Sequence, residues 1–165
     1  MPSSVAHGFA ALALGAAILP RPIPRRLAVT GVTCAVLLDL DAIGRPFGYG
    51  DVTWLGGHRA FTHSLFFAAV VAAMLTFSWK GLASTAYTPR WRVFAFLAAG
   101  MIAHGVLDMF TDNYPAVAIL VPFSWQRFRA PWQPFDRIWM EIFIVWIPCW
   151  LFIRYRNRTR GQLHS

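Results

Sequence analysis

The chain carries five histidines and seven acidic residues in 165 positions. Most of them fall in short motifs built from imidazole and carboxylate, the ordinary nitrogen and oxygen ligands of Zn²⁺. His104 and Asp108 form H-x-x-x-D. Four residues apart on a helix, both side chains leave one face and can grip one ion. Asp39-Leu40-Asp41 is D-x-D. On a regular α-helix these two carboxylates face about 200° apart. Both reach one site only where the helix unwinds, and Gly44 and Pro46 just downstream favour that. The stretch from His58 to Ser64 (H-R-A-F-T-H-S) sets two histidines around a loop-to-helix join. Gly56 and Gly57 precede it, and Thr62 is a candidate cap for the helix that follows. His7 lies near the start of the chain. Singly, each histidine is better explained as an interfacial side chain with no ligand.

Together, His7, Asp39, Asp41, His58, His63, His104 and Asp108 make seven candidate ligands. A catalytic zinc takes three protein ligands and keeps one open position. Seven therefore suit two metals, with one or two groups left as orienting partners or as a general base. The expected cofactor is two Zn²⁺, with Mn²⁺ or Fe²⁺ as substitutes. Such a pair favours in-line attack on a phosphoryl or acyl centre. Asp39 and Asp41 are the candidate catalytic carboxylates, Asp41 as the group that orients water or takes its proton.

These residues need elements to hold them, and the composition says which kind. Apolar residues make up 57% of the chain and charged residues 13%, against about 25% charged in soluble domains. That excludes an ordinary soluble globule and a disordered chain, and implies a multi-pass membrane protein. Five apolar runs stand out: Val5–Leu19, Leu27–Leu40, His63–Trp79, Val93–Phe110 and Ile138–Tyr155, the last with an expected kink at Pro148. A sixth, Ala116–Val121, is too short to cross and is expected to be re-entrant or interfacial. Positive charge follows the first run, at Arg21, Arg25 and Arg26, which is the reverse of a signal peptide. Cys34 and Cys149 lie inside apolar runs and read as buried hydrophobes. The expected fold is an all-α membrane bundle of about five transmembrane helices, with residues 1–165 a single domain.

Five crossings sort the charges. Arg21, Arg25, Arg26, Lys80, Arg90, Arg92 and the four arginines at 154, 156, 158 and 160 fall on one side. Arg45, Arg59, Arg127, Arg129 and Arg137 fall on the other. The ten-cation side is expected to be cytoplasmic, with the N-terminus outside and the C-terminus inside. Independently, all seven acids and every histidine except His164 fall at the extracytoplasmic end. Ionisable residues at membrane depth are costly and usually functional, and a one-sided cluster of them is the strongest functional signal in the chain. No nucleic-acid-reading domain accompanies the basic charge, and no protein partner is implied.

S-x-x-A-H at Ser3–His7, D-x-D at Asp39–Asp41, H-R-x-x-T-H-S at His58–Ser64 and H-x-x-x-D at His104–Asp108 together resemble the YdjM-like family of inner-membrane proteins. The resemblance covers roughly the first 125 residues and implies a metal-dependent hydrolase of a bacterial or archaeal inner membrane. The ligand order is also similar to that of zinc-dependent phospholipase C and the S1/P1 nucleases, although no second H-x-x-x-E is found.

The leading expectation is a phosphoesterase acting on a membrane lipid. Arg59, Arg127, Arg129 and Arg137 share the site's side and are the candidate phosphate-holding groups; the competing role for each is pairing with Asp112, Asp136 or Glu141. Trp125, Trp132 and Trp139 read as an interfacial aromatic belt. A lipid amidase or esterase would use the same ligands on a carbonyl. An ion or metal carrier ranks lower, because the cytoplasmic halves of the runs lack the polar path that transport needs.

Overall fold

The computed structural model describes residues 2–20, 23–42, 55–79, 82, 88–111 and 115–158. Among these, the architecture is all-helical: α1 (Ser4–Ile18), α2 (Arg25–Val36), α3 (Leu65–Ser78), α4 (Arg90–Asp108) and α5 (Ile138–Arg158). Short 3₁₀ segments cover Leu37–Ala42, Phe61–His63 and Pro134–Asp136.

Local chemistry sets the helix ends. Ser3 caps α1, its hydroxyl accepting from the Ala6 N–H. Ser64 caps α3, accepting from the Phe67 N–H. Thr62, expected in that role, is turned away, because its hydroxyl donates to Asp41 at 2.5 Å. His63 consequently lies in a 3₁₀ turn before α3 rather than in its first turn. Pro24 and Pro89 precede α2 and α4, where a missing N–H costs nothing. In α5 the residues Ile142–Trp146 form a π turn just ahead of Pro148, with the Ile147 N–H donating to the Ile142 carbonyl. The wider turn makes room for a ring that would otherwise press on the carbonyl four residues back.

Helix α4 is the centre, packing against α1, α2 and α3, while α5 lies along α1. The contacts use small residues. The ring of Phe96 fills the space above Gly15 of α1 and Gly31 of α2, so a Cβ at either would collide with it. Ala11, Ala35, Ala68 and Ala72 are also buried at these contacts. Close approach through small side chains is how helices associate where lipid removes the hydrophobic drive between them.

Two helices, Arg90–Asp108 and Ile138–Arg158, are long and apolar enough to cross a membrane. Ser4–Ile18 and Leu65–Ser78 are apolar but shorter. The outer side of α5 exposes Phe143, Ile147, Leu151 and Tyr155, an apolar surface suited to lipid.

The 116–121 run forms turns, not a helix. Val117 and Phe128 exchange two backbone hydrogen bonds (2.9 and 2.8 Å), the Ala118 N–H donates to the Arg59 carbonyl (2.8 Å), and the Leu65 N–H donates to that of Ile119 (3.0 Å). This loop is therefore seated on the His58–Ser64 segment, at the end of the bundle where the ligand motifs meet.

Candidate metal centre

Four helix ends and turns deliver seven side chains to one cluster. His7 comes from the first turn of α1, and Asp39 and Asp41 from the 3₁₀ segment after α2. His58 and His63 lie before α3, and His104 and Asp108 in the last turns of α4. The unwinding that D-x-D requires is present: α2 stops at Val36 and the chain tightens to three residues per turn. Two apart on such a turn, side chains diverge by about 120° instead of lying nearly opposite. Asp39 and Asp41 thereby flank the His63 ring, Asp39 at 3.6 Å from Nε2 and Asp41 at 3.5 Å from Nδ1. Gly44 and Pro46, expected to favour this unwinding, lie outside the described residues.

Four groups converge. His63 Nε2 lies 3.6 Å from Asp39 Oδ1 and 3.3 Å from Asp108 Oδ2; His104 Nε2 lies 3.3 Å from Asp39 Oδ1 and 3.6 Å from Asp108 Oδ2. These spacings exceed the roughly 2.7–2.9 Å of a charge-assisted hydrogen bond. They match ligands of one ion: donors each roughly 2.0–2.1 Å from a tetrahedral metal stand roughly 3.3–3.4 Å apart. Both Nε2 atoms and all four carboxylate oxygens of Asp39 and Asp108 are buried without a hydrogen-bond partner. Buried polar atoms left unsatisfied cost about 1–3 kcal/mol each, more when charged, so four such groups, each turning one atom to a common point, fit a bound cation.

The remaining nitrogens fix the tautomers. His104 Nδ1–H donates to the Ala35 carbonyl at 2.6 Å. A carbonyl only accepts, so Nε2 of neutral His104 holds the lone pair. His63 Nδ1 lies 2.9 Å from the Thr62 hydroxyl, which donates onward to Asp41 Oδ2. His63 Nδ1–H is thus the donor and its Nε2 also presents a lone pair. His58 Nδ1–H donates to Asp41 Oδ1 at 2.7 Å. Asp41 collects both chains. Burial pushes its carboxyl up, but bonds from His58, His63 and Thr62 outweigh burial and hold it well below the usual carboxylate range. A carboxylate behind each imidazole is the usual second layer of a metal site. Asp41, His58 and His63 also lie close enough to form a second ligand group; here Asp41 and His58 are engaged with each other.

His7 stacks on His104, ring centroids 3.6 Å apart, with its Nε2 3.6 Å from Asp108 Oδ1. It borders the quartet from the α1 side.

The chain's likeness to known proteins bears on what this cluster is. Residues 1–164 match the family described as YdjM inner membrane protein. The chain belongs to that family. A curated relative, inner membrane protein YbcI of Escherichia coli (strain K12), is 36% identical over 141 residues, which covers 81% of this chain and 75% of the relative. No solved structure matches. This YdjM-family chain is accordingly an inner-membrane protein with clustered His and Asp groups able to hold a metal ion.

The four arginines expected near a phosphate are placed differently from one another. Arg59 is fully buried and its Nε lies 3.0 Å from Asp108 Oδ2. Its backbone adopts φ of 62°, a left-handed conformation costing about 1–3 kcal/mol for a non-glycine residue. That turn, held by the Ala118 hydrogen bond, aims the guanidinium inward. Arg127 donates to the carbonyls of Ala116 (2.8 Å) and Gly56 (2.9 Å) and pins the two loops together. Arg129 and Arg137 are exposed. Trp125, Trp132 and Trp139 are exposed as well. Asp112 lies outside the described residues.

Two participants escaped the sequence reading. Thr62 carries the link from His63 to Asp41. Glu141 is buried, and its Oε2 accepts from the Ser3 N–H (2.9 Å) and hydroxyl (2.7 Å). The usual capping partner three residues into a helix is Glu or Gln, whereas α1 has Ala6 there. A lone serine cap with no local acid, and one acid at the start of the last apolar run, were the available signal.

Proposed function

We propose that this protein is a metal-dependent hydrolase embedded in the inner membrane, and that its reaction is phosphoester cleavage on a lipid or lipid-linked substrate. The observation that carries this is the quartet Asp39, His63, His104 and Asp108, whose facing Nε2 and carboxylate oxygen atoms have ligand-like spacings and make no hydrogen bond to one another. Two imidazoles and two carboxylates suit Zn²⁺, Mn²⁺ or Fe²⁺. A bound ion of this kind supplies Lewis acidity and brings the pKa of water near neutrality.

The chain's own groups supply the rest. Asp41, through Thr62, holds His63 in the tautomer that presents Nε2, and the Ala35 carbonyl does the same for His104. With both Asp41 oxygens taken by His58 and Thr62, Asp39, whose side chain is 17% exposed against 0% for the other three groups, is the residue to accept a proton from water. Arg59, against Asp108, would hold a phosphoryl oxygen; that buried cation favours a phosphoester over an acyl substrate, since a phosphoryl group brings negative charge to pair with it. The remaining features of the reading are topological. The site faces the extracytoplasmic side, with the C-terminus cytoplasmic, because ten of the fifteen cations then lie inside.

The test is a lipid panel. Purified protein is reconstituted with phospholipids and with lipid phosphates, and released phosphate, phosphorylated headgroup and fatty acid are measured. Release of phosphate or phosphorylated headgroup, lost in Asp39→Asn, is the expected result. Fatty acid alone would move the reading to an acyl hydrolase.

A further inference from the structure

Among the described residues, two apolar cavities that flank the helices differ at their ends. The cavity between α1, α4 and α5, of about 680 Å³, is apolar throughout and includes no residue of the cluster. The groove between α2 and α3, of about 760 Å³, is also apolar along its length but ends on Asp41 and Thr62. Both volumes lie within the roughly 300–1,000 Å³ of small-molecule sites. Cys34 of α2 and Leu38 of the 3₁₀ segment after it form one wall, Val71 and Leu75 of α3 the other, and Met101 of α4 the floor. Of the two threonines in the wall, Thr30 and Thr33, the Thr30 hydroxyl bonds back to the Arg26 carbonyl at 2.9 Å. From Phe67 to Leu75 the groove follows α3 for about 12 Å. At its lip Leu37 and Leu40 are exposed.

An apolar trench in an inner-membrane protein, closing on a hydroxyl and a carboxylate linked to His63 of the quartet, is complementary to one kind of molecule: an amphiphile with a chain and a polar head. We propose that the α2–α3 groove takes one acyl chain of a bilayer phospholipid, so that the headgroup bond arrives beside Asp41 and Thr62. The groove's continuity with the cluster distinguishes it from the second cavity. The identity of the head end rests on the hydrolase reading; occupation of the groove by a chain does not.

The test uses a diacyl phospholipid carrying a diazirine in one acyl chain, mixed into phosphatidylethanolamine–phosphatidylglycerol vesicles with the full-length protein. Labelled residues are mapped by mass spectrometry after photolysis. Val71 and Leu75 should be labelled several-fold more than Met74 and Phe77, which are exposed on the same helix. Val71→Trp should abolish groove labelling, and Leu75→Trp, farther from Asp41 and Thr62, should reduce it. Ala13→Trp, in the other cavity, should leave it unchanged. Equal labelling of groove and outer positions, or labelling indifferent to Val71→Trp in protein that retains its bound metal, would overturn the proposal. Groove labelling in a protein that releases no headgroup would leave the groove standing and defeat the hydrolase reading alone.

Discussion

Asp39 and Asp41 are separated by one residue and serve two differently built regions. Around Asp39 the quartet with His63, His104 and Asp108 has nitrogen and oxygen atoms spaced 3.3–3.6 Å apart and unsatisfied. Around Asp41, His58 and Thr62 are joined by bonds of 2.7 and 2.5 Å. The first region is arranged for something to bind between its groups. In the second, both oxygens of Asp41 are already taken, by His58 and by Thr62. His63 belongs to both, Nε2 in the quartet and Nδ1 in the hydrogen-bonded chain. The difference teaches that identical residue types, placed by one 3₁₀ turn, divide into ligands and supports by whether their polar atoms are already used.

Substitutions sharpen that division by the size of their effect on bound metal. His104→Ala and Asp108→Ala each remove a member of the quartet and should strip the metal during size-exclusion chromatography, as measured by elemental analysis of the peak. Asp41→Asn keeps all four quartet groups but weakens their support. It should lower metal affinity about 10–100-fold, the usual cost of losing an outer partner, measured by competition with a chelating dye. Thr62→Val interrupts only the branch through His63, and a loss near the lower end, about tenfold, is expected, with Thr62→Ser restoring the affinity. If Asp41→Asn strips the metal as fully as Asp108→Ala, the two regions are one ligand set and the division fails.

A further variant should not touch the metal at all. Gly31→Ala puts a methyl group into the Phe96 ring at the apolar contact of α2 with α4. Overpacking of this kind costs about 1–3 kcal/mol. Thermal unfolding in detergent should show that loss, with metal per folded protein unchanged.

Much of the site could be read from the chain because periodicity and cost both mark it. His104 and Asp108 share a face by spacing alone, and charged groups at the ends of apolar runs are too costly to be ornament. The all-helical architecture followed from the apolar runs in the same way. The parts that stayed hidden depend on contacts between distant segments. Nothing local announces that the hydroxyl of Thr62 is drawn from helix capping to Asp41, twenty-one residues away. Glu141 meets Ser3 across 138 residues. Arg59 looks like a loop cation until its backbone turn, fixed by Ala118 from another loop, buries it beside Asp108. Helix length was also only partly legible: the D-x-D motif signals an unwound end, but how far α2 retreats before it is decided by packing against α4.

The central claim is that the quartet holds a divalent cation. The most direct measurement is the metal content of the protein purified without chelators, compared with a folded Asp39→Asn, Asp108→Asn double variant that keeps the shape of the site and removes both charges. The account predicts bound Zn²⁺, Mn²⁺ or Fe²⁺ in near-integral ratio to the unmodified chain and none in the variant. A protein that binds no such ion even when one is supplied, or a variant that retains it in full, would contradict it.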